Sequence, residues 1–216
     1  MELTKWGQEK FIWNRGPTSA LTPGVYGGQA PRVDQDPVYH CYPPGLVRLG
    51  PPRDTVGNGG SSVEILQTPG KLIMIYQYRN AVRYIYTDGR EHSKNLQLTW
   101  NGHSIGKWDG DTLVVDTVGL RDESWLDSAG HEHSAQLRVV ERFRRLDAGS
   151  LEIVRTLTDP IALAKPYTRR VVLRLNPNYD LNENMDGKQY DCSQFMVRKP
   201  AFGEGEGGPL GIADHP

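Results

Sequence analysis

Between residues 62 and 176, short runs rich in Val, Ile, Thr and Tyr alternate with Gly, Asn and Asp turns at intervals of about ten residues. This is the period-two pattern of half-buried strands joined by tight turns. It predicts strands over 62–68, 71–78, 82–88, 102–108, 111–118, 136–146, 150–158 and 167–176, with no competing helical period. Sequential strands with short connections make an antiparallel meander, which removes its exposed edges most simply by closing. The expected fold is all-β, a lipocalin-like β-barrel, with a sandwich as the second choice. The first sixty residues hold eight of the fifteen prolines and show no useful period, so 1–60 reads as an irregular Pro/Gly-rich arm draped over a barrel domain at 61–198. The glycine-rich stretch 199–216 reads as a flexible tail.

Two turns extend this pattern to registers. Asp109-Gly110 suits a two-residue type I′ turn, which makes facing residues sum to 219 and sets His103 opposite Asp116. Their face also carries Ile105, Val114 and Val118 and is expected to point inward. In the second hairpin, a three-residue Asp147-Ala148-Gly149 loop with a left-handed glycine gives pairs summing to 296. Val139 then meets Leu157, Phe143 meets Ile153, and Glu141 meets Arg155. Charges on such an apolar face must be paired or neutralised.

Composition narrows the function. The 216 residues carry 25 basic and 26 acidic side chains with a mean hydropathy of −0.57, so no field exists to hold nucleic acid or an anionic membrane. The longest apolar run, Leu72 to Tyr76, falls far short of the ~20 residues of a spanning helix, and no membrane span is expected. Cys41 and Cys192 are the two cysteines. A disulfide tying arm to body suits a periplasmic or secreted protein, whereas two buried free thiols suit the cytoplasm.

The candidate chemistry gathers around the first hairpin. His103 beside Asp116 is a base with an orienting carboxylate, the arrangement of general acid–base catalysis; the plain alternative is a satisfied core histidine. Both lie at the end away from the turn, where the chain enters the long segment 119–135 with Trp125, His131 and His133. Glu141 and Arg155 could orient a substrate or form a structural salt bridge, and Trp125 and Tyr84 would supply an apolar wall. His131 and His133 are expected to touch substrate. A metal reading of them lacks the His-x-His-x(3–4)-Glu continuation of a cupin-type site, because Leu137 and Arg138 stand there. Gly102-His103-Ser104-Ile105-Gly106 matches the G-x-S-x-G nucleophile elbow, but a hairpin follows where a helix is required. No phosphate-binding glycine loop or Rossmann pattern is present, and no cofactor is expected.

The run Thr99-Trp100-Asn101-Gly102-His103-Ser104-Ile105-Gly106-Lys107-Trp108, continuing through Asp109-Gly110-Asp111-Thr112-Leu113-Val114-Val115-Asp116-Thr117, resembles an uncharacterised family of bacterial proteins. The likeness extends to Cys41-Tyr42-Pro43-Pro44-Gly45, Ile85-Tyr86-Thr87-Asp88-Gly89-Arg90, Trp125-Leu126-Asp127 and Val140-Glu141-Arg142-Phe143-Arg144-Arg145, most of residues 40–195. It implies common descent and an often exported location, and brings no activity with it. His131 stands where the family pattern has a plainer residue, which weakens a shared metal role. The residues point to a small-molecule lyase or isomerase using His103 and Asp116. The alternatives are a non-catalytic small-ligand-binding barrel and a metal-dependent hydrolase or lyase using His131 and His133.

Overall fold

A computed structural model describes residues 1–15, 36–49 and 62–179. The alternating segments form one eight-stranded sheet whose spatial order follows the sequence. Its strands are β1 (Val63–Thr68), β2 (Lys71–Tyr76), β3 (Ala81–Tyr86), β4 (His103–Asp109), β5 (Thr112–Val118), β6 (Arg138–Asp147), β7 (Ser150–Thr158) and β8 (Tyr167–Arg174). Each expected strand is present within a few residues. The meander is interrupted once: β3 and β4 pair in parallel, Ile85 with Ser104 and Tyr86 with Ile105, because residues 87–102 carry the chain back to the starting end before β4 begins. Among the described residues no rung joins β8 to β1. The sheet curls into a half-barrel, and side chains from both edge strands, Val63 and Leu173, line one interior cleft.

Alternation decides what faces inward. Leu72, Met74, Tyr76, Ile85, Leu113, Val115, Phe143 and Ile153 point into the curl and pack with Leu49. A second cluster, with Leu120, Leu126, Leu137, Val139 and Leu157, fills one end. The inner set of the β4–β5 hairpin is therefore Leu113 and Val115, not the expected Ile105, Val114 and Val118, which lie on the outer face. Serine and glycine disguise this: Ser104 and Gly106 look unlike core residues, yet a Cβ on Gly106 would sit 3.0–3.1 Å from Leu113 Cδ1 and Ile85 Cγ2. Their smallness makes room for larger neighbours.

Both hairpin turns differ from expectation. The first is Gly110-Asp111, not Asp109-Gly110. Asp109 pairs with Thr112, and Gly110 alone takes a positive φ of 61°, as in a type II′ turn with glycine first. Facing pairs then sum to 221, which sets His103 against Val118 and Asp116 against Ile105. In the second hairpin the pairs Val139–Leu157, Glu141–Arg155 and Phe143–Ile153 are as expected. They arise differently, from a two-residue Ala148-Gly149 turn and a bulge between Arg145 and Asp147, with Gly149 outside the left-handed region.

The arm is more ordered than its prolines suggest. Lys5–Arg15 forms helix α1, anchored by backbone bonds of Thr4 and Ala164 to Ala162 and Glu2, and by Asn14 Nδ2 donating to Gly130 O at 3.0 Å. Its Gly7 passes so close to the Ala162 carbonyl that a Cβ would meet the oxygen at 2.3 Å. Residues 36–49 are built into the core, with Leu46 and Leu49 each 1% exposed and a buried bidentate pair from Arg48 to Asp36 at 2.7 and 2.9 Å. The remainder of the 1–60 arm, Cys192 and the 199–216 tail lie outside the described residues.

Candidate functional site

The residues singled out in the sequence separate into three places. His103, Asp116 and Tyr84 share the outer face of the sheet; Glu141 and Arg155 lie on the inner face; Trp125, His131 and His133 lie in the segment between β5 and β6. The single barrel-mouth site expected of them is therefore not assembled as one cluster.

On the outer face, the corrected register leaves His103 and Asp116 as diagonal neighbours. A residue not expected at this place joins them. His92, in the irregular stretch between β3 and β4, lies over this face with its Nδ1 2.8 Å from His103 Nδ1 and its Nε2 3.5 Å from Asp116 Oδ2. The second distance is too long for a hydrogen bond, and His92 Nε2 is buried with no hydrogen-bond partner among the described residues. Asp116 is held from its other side by Arg138, whose Nε and Nη2 donate to both carboxylate oxygens at 2.8 Å. Tyr86 stacks on His103 with ring centroids 5.6 Å apart, and the Arg90 guanidinium lies 3.8 Å over the Tyr86 ring while also gripping Asp88. Burial, with the nearby His92 and Arg90 charges, pushes the His103 imidazole below its usual range. The contact allows two proton arrangements: His103 Nδ1–H donates to a neutral His92 whose Nε2–H faces Asp116, or a His92 imidazolium donates from Nδ1 to His103 Nδ1 while its Nε2–H faces Asp116. In the first, His103 Nε2, without a hydrogen-bond partner among the described residues, is the unprotonated nitrogen. No periodicity marks residues 87–102, so the sequence offered His92 only as a third ligand in the metal reading of His131 and His133 and did not place it beside His103 and Asp116.

On the inner face Glu141, fully buried, accepts from Arg155 Nε at 2.8 Å as expected, and meets a second guanidinium, Arg83 Nη2, at 2.5 Å. The latter is a charge contact rather than an aligned hydrogen bond. Arg83, 1% exposed, also donates to Ser104 Oγ at 3.1 Å and Thr117 Oγ1 at 3.0 Å. Burial alone would raise the Glu141 carboxyl, but the two guanidinium groups overcome it and hold the pKa at about 2. Burial pushes the Tyr76 phenol up, so it stays neutral beside them. Arg83 was legible: it shares the parity of Ile85 on β3, and an arginine on an apolar face needs a carboxylate. Ser104 is committed to this network through Arg83 and Thr117 and is 1% exposed, so the G-x-S-x-G run is a packing motif and not an elbow.

The third group is used in local structure. His131 Nδ1 lies 2.7 Å from Asp127 Oδ2, and its ring stacks on Phe11 of α1 at 4.2 Å. His133 is buried between Ser124 Oγ and the Ser134 carbonyl, and burial pushes its imidazole down. Trp125 is buried, while Tyr84 is 49% exposed on the far side of the sheet, so the two do not form one apolar wall. Among the described residues no three His, Cys, Asp or Glu side chains converge as metal ligands. Comparison with protein-family models, curated proteins and solved structures gave no match to this chain.

Proposed function

We propose that this protein is a small-molecule enzyme of the lyase or isomerase kind in which His103 takes and returns a proton. The observation that carries the reading is the 2.8 Å contact between His92 and His103 with Asp116 beyond it. A proton arriving on His103 Nε2 makes an imidazolium whose positive charge can pass through the shared Nδ1 hydrogen bond to His92 and be balanced by Asp116. Arg138 fixes that carboxylate, and Tyr86 and Tyr84 supply the aromatic surface beside the base. The expected catalytic pair is thus kept, but with a histidine between its members. In the same reading the chain belongs to the exported bacterial family it resembles, Cys41 bonds to Cys192, and the half-barrel closes toward a lipocalin-like form. The approach of Val63 and Leu173 across the interior supports that closure.

The test begins with a thermal-shift screen of small carbonyl compounds, glycosides and hydroxylated aromatics, since a ligand that binds the native state stabilises it by mass action. Hits are then assayed for turnover. A positioned general base contributes about 10²–10⁴ in rate, so His103→Ala should lose most of the turnover with the fold intact, and Asp116→Asn should lose less. A hit that stabilises wild type and His103→Ala alike, with conversion by neither, would replace this reading with that of a non-catalytic ligand-binding protein.

A further inference from the structure

On the outer face of the sheet, the chain between β3 and β4 crosses His103 as a strap. Backbone bonds fix its two ends. Thr87 N donates to Gly70 O at 2.8 Å at the start, and at the finish Thr99 N donates to Gly119 O at 2.9 Å while Thr99 O accepts from Arg121 N at 3.0 Å. Arg90 closes the first end by gripping Asp88 and lying over the Tyr86 ring. Between these anchors, residues 91–98 are exposed at every position except His92 and Leu96. Leu96 lies against Gly119, where an added Cβ would meet its Cβ at 3.6 Å. Among the described residues, the hydrogen bonding of 91–98 to the rest of the fold is that of His92 with His103. One half-buried leucine holds so long a stretch only weakly against its backbone entropy. The His92 contact therefore decides whether the middle of the strap stays on the sheet.

That contact has a limited capacity for protons. Two neutral imidazoles hold one N–H between their Nδ1 atoms, and so does a pair carrying one extra proton. A second extra proton puts N–H on both facing nitrogens, leaves an acceptor on neither, and sets two imidazolium charges against each other. The surroundings cannot balance them. Asp116 offers one negative charge and shares it with Arg138, Arg90 is matched by Asp88, and Tyr86 presents its ring to His103. The charged residues of the strap itself, Glu91 and Lys94, point to solvent. We propose that residues 91–98 form a pH-sensitive strap, held over His103 while the His92–His103 pair carries at most one extra proton and released when both imidazoles are charged. Burial, with the nearby His92 and Arg90 charges, disfavours the proton on His103, so release falls below the ordinary histidine value of about 6.5. Release parts His103 from the histidine that shares its proton and uncovers it together with Asp116. The inference rests on the contact that carries the acid–base reading and concerns the regulation of that site, but it needs no turnover.

The test is backbone ¹⁵N relaxation of the full chain in steps from about pH 8 down to about pH 4.5. In wild type the order parameters of residues 91–98 should fall from about 0.85 to below about 0.6 across that range, while those of β4 and of residues 99–102 stay unchanged. His92→Gln and His103→Gln each put a neutral amide at the contact, so in either variant the order of 91–98 should no longer depend on pH. His92→Gln alters a residue outside the strands and decides the matter if His103→Gln does not fold. Order parameters of 91–98 that are the same throughout in wild type, a pH step that persists in His92→Gln, or a loosening of β4 together with the strap would overturn the inference. Turnover lost in His103→Ala, in a protein whose strap shows no pH step, would keep the acid–base reading and overturn this one. A pH step in a protein that converts no compound would do the reverse.

Discussion

Glu141 shows how a single buried residue sets the character of its surroundings. Its carboxylate stays ionised with no solvent contact because two guanidinium groups outweigh the burial penalty. Removing the carboxylate strands two cations, so Glu141→Leu should cost about 3–5 kcal/mol, measured by urea unfolding. Arg155→Leu leaves Glu141 with Arg83 and should cost less, about 1.5–3 kcal/mol for one charged hydrogen bond. Replacing all three by apolar residues should cost less than the sum, and additive losses would show that the three do not form one network. The pH dependence has a definite sign. The folded pKa of Glu141 lies below its unfolded value, so its contribution is complete above about pH 4.5 and is lost as pH falls toward 2. For His103 and His133 the folded state disfavours the proton, so each withdraws stability as pH drops below the ordinary histidine value of about 6.5. The sequence made the Glu141–Arg155 pair legible because alternation placed both on an otherwise apolar face. It left Arg83 unremarked, although the same parity argument applies to it.

At the scale of elements, the strands were readable because β-branched and aromatic residues in period two leave little else for those segments to do. The turns were less so, because Asp109-Gly110-Asp111 offers glycine to either of two hairpin turns. The choice changes each facing pair by two residues without exchanging the faces, which is why His103 and Asp116 stay on one side of the sheet while ceasing to be opposite. Helix α1 was hidden by its composition. Its anchors are bonds to residues more than a hundred positions away, such as Asn14 to Gly130, and no local signal encodes them. Two glycines separate conformation from space. Gly110 has positive φ with nothing within 4 Å of a Cβ, so Gly110→Ala should cost about 1–2 kcal/mol, the left-handed penalty alone. Gly102 has positive φ and would place a Cβ 2.7 Å from the Val118 carbonyl oxygen and 2.8 Å from Thr117 Cγ2. Gly102→Ala should therefore lower the melting temperature more than Gly110→Ala and displace His103 beside it. Equal losses would mean that this end of the hairpin is free to shift.

For the molecule as a whole, the curled sheet divides chemistry between its faces: a half-buried imidazole pair outside and a buried, positively charged polar group inside. The segment between β5 and β6, which the sequence marked by its length and its histidines, docks α1 through Phe11, Asn14 and His131. Phe11→Ala should accordingly loosen α1 and lower the melting temperature without moving the His103 resonances, and a change at His103 would show that the helix dock and the outer-face histidines are coupled. The proposed Cys41–Cys192 bond should stabilise by roughly 3–5 kcal/mol on the chain-entropy model; two free thiols per chain by Ellman titration of unreduced, unfolded protein would end that proposal. The most direct test of the proton relay is a pH titration of the imidazole nitrogens by ¹⁵N NMR in wild type, His92→Gln and Asp116→Asn. The relay predicts that His103 titrates below the ordinary histidine value, holds its neutral proton on Nδ1, and changes both its pKa and its tautomer when His92 or Asp116 is replaced. A His103 that titrates at the ordinary value and responds to neither substitution would contradict it.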